Sequence, residues 1–444
     1  MGVGKVKKLA SLLLAGTLLL TACSSNANDG GGGNGTSGEA GGGTNSAADT
    51  KEITIWAWDP NFNIKALNLA KEAYAKTNAD LEVNIVENAQ ADIVQKLNTS
   101  LGSGTTKGLP NIVLIEDYRA QSFLTAFPDM FYDLTGVIDA SQFAEYKIGP
   151  TSVQGRNYGV PFDSGVTGLF VRTDYLAQAG YKPEDLQGLD WKQYIEIGKK
   201  VKAATGKAML GLDPNDLGII RVMIQTVGSW YLTEDGTKPN LAGNAAMKEA
   251  FELYKEMMEA DIVKPVSDWS QYLAAFNSGD VASVPTGNWI SASVKAESSQ
   301  SGKWAVVPIP KLSGANAVNA SNLGGSSWYV LNIDGKEAAA DFLAKTFGAD
   351  VEFYQKLVQE VGALGTFKPA ATGEAYQAAD PFYNGQQTLV DLAKWTEQIP
   401  RVNYGAHTYA IEDILVVEMQ NYLNGKAVDK ALEDAQKQAE AQIK

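Results

Sequence analysis

Short apolar runs alternate with amphipathic stretches through the first part of the chain body. The runs are rich in β-branched residues, which is typical of strands, and the stretches between them place apolar residues at helical spacing. The predicted strands are 53–56, 81–86 and 111–115, and the predicted helices between them are 64–74 and 93–101. Strands that alternate with helices favour a parallel sheet, in which a ligand binds beyond the carboxyl ends of the strands.

A second set of elements follows residue 158. The chain body, about 51–444, is too long for one compact core and predicts two lobes of ordinary domain size. Residues 304–310 are extended because their prolines are incompatible with a helix. The other predicted strands are 168–172, 281–285 and 329–331, and the predicted helices are 191–204, 217–227, 245–260, 269–277, 336–347, 350–361, 411–423 and 428–443.

Polar side chains follow each of the first three predicted strands. The pairs are Trp58 with Asp59, Glu87 with Asn88, and Glu116 with Asp117. For any one pair, a solvated loop carboxylate or a helix N-cap is a better explanation than a ligand contact. Because all three pairs fall at one edge of the predicted sheet, together they favour a polar ligand that also meets a flat aromatic face.

The N-terminus predicts export and acylation. A lysine-rich start precedes an apolar run at 9–20 that is too short to span a bilayer, and residues 20–23 read Leu-Thr-Ala-Cys. This resembles the lipobox of exported bacterial lipoproteins, which implies a signal peptide at 1–22 and a diacylglyceryl group, with palmitate as an acyl chain, on Cys23. A buried structural cysteine is the alternative, but Cys23 borders a Gly/Ser/Asn tract typical of a flexible tether, predicted at 23–50.

Composition narrows the classes of function. The formal charge of −14 becomes −17 once the three leader lysines are removed, and such an acidic chain is unsuited to nucleic acid. One histidine and one cysteine leave no Ser-His-Asp triad, no Cys-His pair and no histidine-rich zinc site. We therefore predict no catalytic residue, no cofactor and no metal. The nine tryptophans and 18 tyrosines exceed what the periodic segments need for packing.

Several short motifs resemble one family when their order and spacing are considered together. They are Tyr-Gly-Val-Pro-Phe-Asp at 158–163 with Arg-Thr-Asp at 172–174, Phe-Asn-Ser-Gly-Asp-Val-Ala at 276–282 before Gly-Asn-Trp at 287–289, Gly-Gly-Ser-Ser at 324–327, the helix at 336–343 and the closing segment at 421–435. The chain from 51 to 444 resembles the extracellular solute-binding proteins of bacterial ABC importers, in the carbohydrate-binding group that includes maltose-binding proteins.

Two further segments resemble a narrower group. Residues 380–387 and 398–405 are similar to those of lactose- and L-arabinose-type binding proteins. This resemblance favours lactose and galacto- or arabino-oligosaccharides as ligands.

The resemblance implies a two-lobed α/β fold in which each lobe is a mostly parallel sheet flanked by helices, joined by a hinge of several chain crossings. Lobe 1 is predicted at 51–162 and 326–369, and lobe 2 at 163–325 and 370–444. A sugar needs hydrogen-bonding partners for its hydroxyls and an aromatic ring for its C–H face. The predicted ligand-binding residues are Trp58, Asp59, Glu87, Asp117, Asp163, Trp230, Trp289, Trp328, Tyr404 and His407.

Two assignments depend on position alone. His407 is explained equally well as a loop residue with a satisfied partner and as a sugar contact. It is included because it precedes the helix that supplies a ring to the cleft in relatives. The remaining tryptophans within periodic segments are assigned to packing. They are Trp56, Trp191, Trp304 and Trp395.

The predicted function is that of a monomeric receptor, lipid-anchored at the extracellular face of the cell membrane, that hands a di- or oligosaccharide to ABC permease subunits. A lipid-anchored glycoside hydrolase is an alternative, because two of the rim carboxylates could flank a glycosidic bond. A binder of a non-sugar solute would have the same fold, since the site rather than the fold decides function.

Overall fold

The computed structural model describes residues 50–60 and 62–443. The predicted signal peptide, Cys23 and all but the last residue of the predicted tether lie outside these residues. Within them, no helix is both long enough and apolar enough to cross a membrane.

The strands, numbered along the described chain, form two main sheets and two small two-stranded sheets. They are β1 (Glu52–Ala57), β2 (Glu82–Glu87), β3 (Ile112–Glu116), β4 (Ser152–Val153), β5 (Arg156–Asn157), β6 (Gly159–Pro161), β7 (Thr167–Arg172), β8 (Leu210–Leu212), β9 (Val263–Pro265), β10 (Ser283–Gly287), β11 (Trp304–Pro308) and β12 (Ser326–Val330).

The helices cover the faces of these sheets. They are α1 (Asn63–Ala75), α2 (Gln90–Gly102), α3 (Asp117–Ala126), α4 (Glu145–Thr151), α5 (Thr173–Gln178), α6 (Trp191–Thr205), α7 (Gly218–Gln225), α8 (Ala245–Glu259), α9 (Trp269–Asn277), α10 (Ser291–Lys295), α11 (Lys336–Lys345), α12 (Val351–Lys356), α13 (Thr388–Thr396), α14 (Thr408–Leu423) and α15 (Val428–Gln442). A π-helical turn, Leu357–Val361, continues α12.

Local sequence explains the bounds of the longer helices. Asp190 caps α6 through the Gln193 N–H, and Gln193 returns the interaction in a capping box. Gly206 ends the same helix in the left-handed region, which glycine adopts without a Cβ penalty. Asn244 caps α8 by accepting two backbone N–H groups.

The first lobe is built on a five-stranded sheet of order β2-β1-β3-β12-β6. The pairs β1–β2 and β1–β3 are parallel, as predicted. β12 enters this sheet from the second lobe and pairs antiparallel with both β3 and β6. Because β12 starts opposite the end of β3, with Ser326 beside Glu116, both lie at the edge that faces the second lobe.

The second lobe is built on the sheet β10-β7-β11, and here the prediction of a mostly parallel sheet is wrong. β7 pairs antiparallel with β10 and with β11. Among the described residues of this lobe, parallel pairing is limited to β8 with β9 and to two isolated bridges, Ala208 with Val281 and Asp190 with Lys311. The reason is topological: β7 starts at the hinge and runs away from it, whereas β10 and β11 end there.

Three chain crossings join the lobes and contact one another. β6 leads to β7 through 162–166, β11 leads to β12 through 309–325, and the third passes from α12 to α13. Asp163 bridges to Gly365 of the third crossing, and Val166 bridges to Asn322 of the second. The Ser164 N–H donates to the Leu364 carbonyl at 2.8 Å. The hinge is therefore a hydrogen-bonded bundle of extended segments.

Buried apolar side chains fill both lobes. Ile55, Leu114 and Phe342 belong to the core around the first sheet, and Ile195 and Met257 to the core of the second lobe. Of the four tryptophans assigned to packing, Trp191 and Trp304 are fully buried, while Trp56 and Trp395 pack half-buried at the edges of the cores.

Candidate functional site

The carboxyl ends of β1 and β2 place two predicted residues side by side. Ala57 lies opposite Glu87 in the parallel ladder, so Trp58 and the exposed Glu87 share one edge of the sheet. The neighbouring Asp59 has a left-handed backbone (φ 62°), and its Oδ1 accepts the Phe62 N–H at 3.2 Å. The Asp59 carboxylate thus organises the turn before α1.

At the end of β3, the two consecutive carboxylates point to different environments. Asp117 is only 1 % exposed and pairs with Lys147 at 2.5 Å, while the Ser327 hydroxyl donates to it at 2.9 Å. Burial raises the pKa of Asp117 to about 6, even though the nearby Lys147 ammonium opposes that shift. Asp117 was predicted to contact ligand, and the structure instead places it in a buried ion pair with Lys147.

Glu116 is the carboxylate that faces the second lobe. Its Oε2 accepts the Tyr409 hydroxyl at 2.6 Å and lies 3.6 Å from Nε of Arg119. The Arg119 guanidinium stacks on the Tyr409 ring at 3.8 Å. Burial, followed by the Glu116 charge, raises the pKa of Tyr409, so its hydroxyl remains a donor at neutral pH. The sequence flagged the pair 116–117 but could not tell which member faces the second lobe.

In the second lobe, Trp289 lies directly after β10. Its indole Nε1 donates to the Leu323 carbonyl of the second crossing at 2.8 Å. Two glycines make room for this contact: a Cβ on Gly287 would lie 2.2 Å from Nε1, and one on Gly324 would lie 3.1 Å from it. The half-buried ring is therefore held against the hinge backbone.

Trp269 forms an aromatic platform beside Trp289 that sequence reasoning missed. Its side chain is 52 % exposed, its ring stacks on Tyr272 at 5.6 Å, and it meets the Trp289 ring at 5.7 Å. The available signal was Asp268, an N-cap residue that places Trp269 at the exposed first turn of α9 rather than on its buried face.

Arg221 connects the residues around Glu116 and Tyr409 with those around Trp269 and Trp289. Its guanidinium lies 5.4 Å from the Tyr409 ring centroid, 3.1 Å from the Glu412 carboxylate and 3.4 Å from Asp216. Gly218 stands between Asp216 and Leu323, whose carbonyl accepts from Trp289. A series of neighbouring residues thus links the first lobe to the tryptophans of the second. We call this set the interlobe surface: Trp58, Glu116, Arg119, Asp216, Arg221, Trp269, Trp289 and Tyr409.

A buried aromatic seam separates the interlobe surface from the opposite flank of α3. Tyr118 of the first lobe meets Tyr404 edge-on at 4.6 Å and Trp230 at 5.4 Å. The Trp230 Nε1 donates to the Thr408 hydroxyl at 3.0 Å. Trp230 and Tyr404 were predicted as ligand contacts. In the structure their rings pack against Tyr118 of the first lobe, and this packing holds the lobes together.

A cavity of about 960 Å³ lies on that opposite flank. Both lobes line it, with Gln121 and Pro150 on one side and Trp230, Arg401 and Tyr404 on the other. Gln121 is fixed there because its amide donates to three carbonyls of α4 and β4. The aromatic seam therefore has open space on this side and the interlobe surface on the other.

Asp163 and Trp328 both have structural roles. Asp163 accepts the Ser326 N–H at 2.8 Å and the Ser326 hydroxyl at 2.7 Å, which ties the first crossing to the second. Trp328 is 0 % exposed and packs between Phe162 and Phe347. The prediction that Trp328 lies in the cleft is corrected, because inside β12 its side chain points into the core of the first lobe.

The last predicted residue, His407, lies half-buried directly before α14. Burial lowers its pKa, so the imidazole is neutral at pH 7. No cluster of three or more metal-ligating side chains exists among the described residues.

Comparison with solved structures defines the class. The GacH receptor of Streptomyces glaucescens superposes with a TM-score of 0.73 at 18 % identity, over 89 % of this chain and 98 % of that one. The galacto-N-biose/lacto-N-biose I-binding protein of Bifidobacterium longum gives 0.71 at 20 % identity, over 89 % and 97 %. The prediction of a two-lobed α/β solute-binding fold is confirmed.

Sequence comparison defines the family. Residues 70–384 match the model of the bacterial extracellular solute-binding proteins. The chain is 49 % identical over 400 residues to the lactose-binding protein of Rhizobium radiobacter, covering 90 % of this chain and 94 % of that protein. It is 26 % identical to the arabinooligosaccharide-binding protein of Bacillus subtilis, over 67 % and 70 %. This chain belongs to the bacterial extracellular solute-binding protein family, as predicted.

Proposed function

We propose that this protein is the sugar receptor of an ABC importer and that it binds a di- or oligosaccharide, with lactose and galacto- or arabino-oligosaccharides favoured. The observation that carries the proposal is the 49 % identity to a lactose-binding protein over nearly the whole of both chains. The identity to an arabinooligosaccharide-binding protein supports the second class of sugar.

The interlobe surface has the chemistry that a sugar requires. The exposed ring of Trp269 and the half-buried ring of Trp289 offer flat faces to the C–H side of a pyranose. Glu116 and Arg119 offer charged partners to its hydroxyls, and such hydrogen bonds are stronger than neutral ones. The ligand would lie between the lobes, beside the contact between Glu116 and Tyr409 that holds them together.

Hinge closure is the proposed mechanism. Lobe 1 comprises 51–162 and 326–369, and lobe 2 comprises 163–325 and 370–444. The crossings are hydrogen-bonded to one another where they meet, so a rotation there moves each lobe as a rigid body. Permease subunits would then recognise the closed form, with the receptor acting as a monomer.

We place the receptor at the extracellular face of the cell membrane, held by an acylated Cys23. Several acyl chains make such attachment stable, whereas one would be marginal. Replacement of Cys23 by serine (Cys23→Ser) is expected to release the protein from membranes and to leave its sugar affinity unchanged. Release is followed by fractionation and immunoblotting, and a loss of affinity in this variant would contradict the separation of tether and binding body.

The test of sugar binding uses the purified body from residue 50 onward. It is titrated with lactose, arabinobiose, galactobiose and maltose while tryptophan emission and free monosaccharide are both measured. Saturable emission changes without hydrolysis support the receptor. Release of monosaccharide would identify the alternative, a glycoside hydrolase, and the absence of saturation with all four sugars would indicate a non-sugar ligand.

A further inference from the structure

Arg221 is a buried cation beside the contact between Glu116 and Tyr409. It is only 5 % exposed, and all eight residues of α7, the helix that carries it, are buried. Its Nε lies 3.1 Å from the Glu412 carboxylate, and its guanidinium lies 3.4 Å from Asp216. A buried ion pair is often no more stable than apolar side chains of the same volume, so stability alone does not explain a charge at this position.

The ion pair fixes the start of α14 against α7. Tyr409 and Glu412 are three residues apart in α14 and therefore share one face of the helix. Arg221 reaches both of them, because its guanidinium also lies 5.4 Å from the Tyr409 ring centroid. The Tyr231 hydroxyl donates to the same Glu412 carboxylate at 3.0 Å. These contacts hold the first turns of α14 at the place where Tyr409 meets the first lobe.

Two guanidinium groups, one from each lobe, contact the Tyr409 ring. Arg119 of the first lobe lies 3.8 Å from the ring centroid, and Arg221 of the second lies 5.4 Å from it. Arg221 also lies 4.9 Å from the ring of Tyr118 in the first lobe. The attraction between a cation and an aromatic ring is stronger when both are desolvated. The buried guanidinium therefore restrains the Tyr409 ring as well as the helix that carries it.

The contact that Tyr409 makes across the lobes requires an accurate position. Its hydroxyl donates to Glu116 at 2.6 Å, and a hydrogen bond weakens steeply when its angle departs from linear. A ring that had to be ordered during closure would lose conformational freedom on binding, which lowers affinity. A ring that is already held in place avoids this loss.

We propose that Arg221 is a positioning residue of the interlobe surface, which holds Tyr409 where its hydroxyl meets Glu116 when the lobes enclose a ligand. Because its own side chain is buried, Arg221 acts through Tyr409 and makes no contact with the ligand. The expected effect on sugar affinity rests on the proposed function, whereas the position of the Tyr409 ring is measurable without sugar.

The affinity test is a double-mutant cycle in the full chain, with lactose titrated by calorimetry. Arg221→Gln and Tyr409→Phe should each weaken binding about five- to tenfold, as for part of one hydrogen bond to a carboxylate. The double variant should bind within about twofold of Tyr409→Phe alone, because Arg221 then has no hydroxyl to position. Losses that multiply in the double variant, or wild-type affinity in Arg221→Gln, would overturn the proposal.

Arg172→Gln is the matched control for the loss of a buried arginine. Arg172 is also 5 % exposed and also belongs to the second lobe, where it pairs with Asp174 at 2.7 Å and lies 4.1 Å from the Tyr175 ring centroid. It is the last residue of β7, which runs away from the hinge. Its replacement should lower the free energy of unfolding and leave lactose affinity unchanged. A loss of affinity equal to that of Arg221→Gln would contradict a specific role for Arg221.

A second variant addresses folding. Arg221→Gln leaves Glu412 buried without its cation, which is strongly destabilising, whereas Arg221→Gln/Glu412→Gln removes both charges. The double variant still lacks the ion pair that fixes α14, so its lactose affinity should fall about five- to tenfold, as in Arg221→Gln. Wild-type affinity in this variant would overturn the proposal.

Fluorine NMR measures the position of the Tyr409 ring in the absence of sugar. Fluorotyrosine replaces Tyr409 or, as a reference, Tyr422, which packs against Phe251 at the far end of α14. Arg221→Gln should shift or broaden the signal of the first label and leave that of the second unchanged. An unchanged first signal, or equal changes in both, would overturn the proposal. The expected signals without any lactose binding would instead count against the proposed sugar function.

Discussion

The Tyr409 hydroxyl donates a 2.6 Å hydrogen bond to Oε2 of Glu116, joining the start of α14 in the second lobe to the end of β3 in the first. Arg119 stacks on the same tyrosine ring, so a charge-assisted hydrogen bond and a cation–π contact act at one point. This point lies on the interlobe surface, where a bound sugar would be enclosed.

Tyr409→Phe should therefore weaken sugar binding by favouring the open arrangement. Losing one hydrogen bond to a carboxylate costs about 1.5–3 kcal/mol, and part of this appears as a lower affinity, about five- to tenfold. Calorimetric titration with lactose measures the change. Tyr422→Phe, at the far end of α14 against Phe251, is the matched control and should bind as wild type; equal losses in both variants would contradict the role of the Glu116 contact.

Trp289→Ala should weaken sugar binding by at least about 2 kcal/mol, or roughly thirtyfold in Kd, as for a buried aromatic anchor. Trp395→Ala changes a half-buried tryptophan of α13 and should leave affinity near wild type. Fluorescence titration measures the sugar affinity of both variants. Similar affinities for the two would show that the interlobe surface has been wrongly assigned.

Trp328→Phe should lower stability and spare binding. The indole fills the core between Phe162 and Phe347, so its replacement leaves a cavity and costs about 1–3 kcal/mol of unfolding free energy. Urea unfolding measures that loss, and lactose titration should give an affinity within about twofold of wild type. A large loss of affinity with intact stability would restore Trp328 to the binding site.

The buried pair of Asp117 and Lys147 should give stability a particular pH dependence. The pKa of Asp117 is about 6 in the folded protein, above its ordinary 3.8, so the folded state binds the proton more tightly than the unfolded state. Its contribution is fully present below about pH 4 and is lost as the pH rises through 6. Denaturant unfolding at pH 4 to 7 measures the slope.

The control for this prediction is the double variant Asp117→Asn/Lys147→Met, which removes both charges and leaves no unpaired one. Between pH 4 and 6, the unfolding free energy of wild type should fall relative to that of the double variant. Carboxylates elsewhere, such as Asp235 and Asp434 with pKa values lowered to about 2 by hydrogen bonds, cancel in this comparison. Parallel curves would contradict the raised pKa of Asp117.

Much of the secondary structure could be predicted from local pattern. Trp269–Asn277 matches the predicted helix, and the first three strands agree to within one residue at each end. The parallel pairing of these strands also followed from their alternation with helices. The antiparallel pairing of β7 did not, because strand direction at the hinge depends on where the chain crosses between lobes.

The residues of the candidate site were likewise predicted only in part from the sequence. Trp58, Glu87 and Trp289 lie at or just beyond the ends of β1, β2 and β10, and their contact with a ligand stays a prediction. Asp117 and Trp328 do not reach the interlobe surface. Glu116 was recognised only as one of a pair with Asp117, and Arg221 and Trp269 were not predicted. Composition and spacing indicate which residue types a sugar needs, but they do not say which of two adjacent carboxylates points outward.

By itself, then, the sequence determined the alternation of strands and helices, the family and the class of ligand chemistry, because these depend on local periodicity and on short motifs. Only the tertiary structure decided which aromatic rings face the other lobe and which carboxylate pairs with Lys147. Those properties arise from contacts between segments far apart in the chain, such as Glu116 with Tyr409, and no local pattern encodes the direction of a side chain across a hinge.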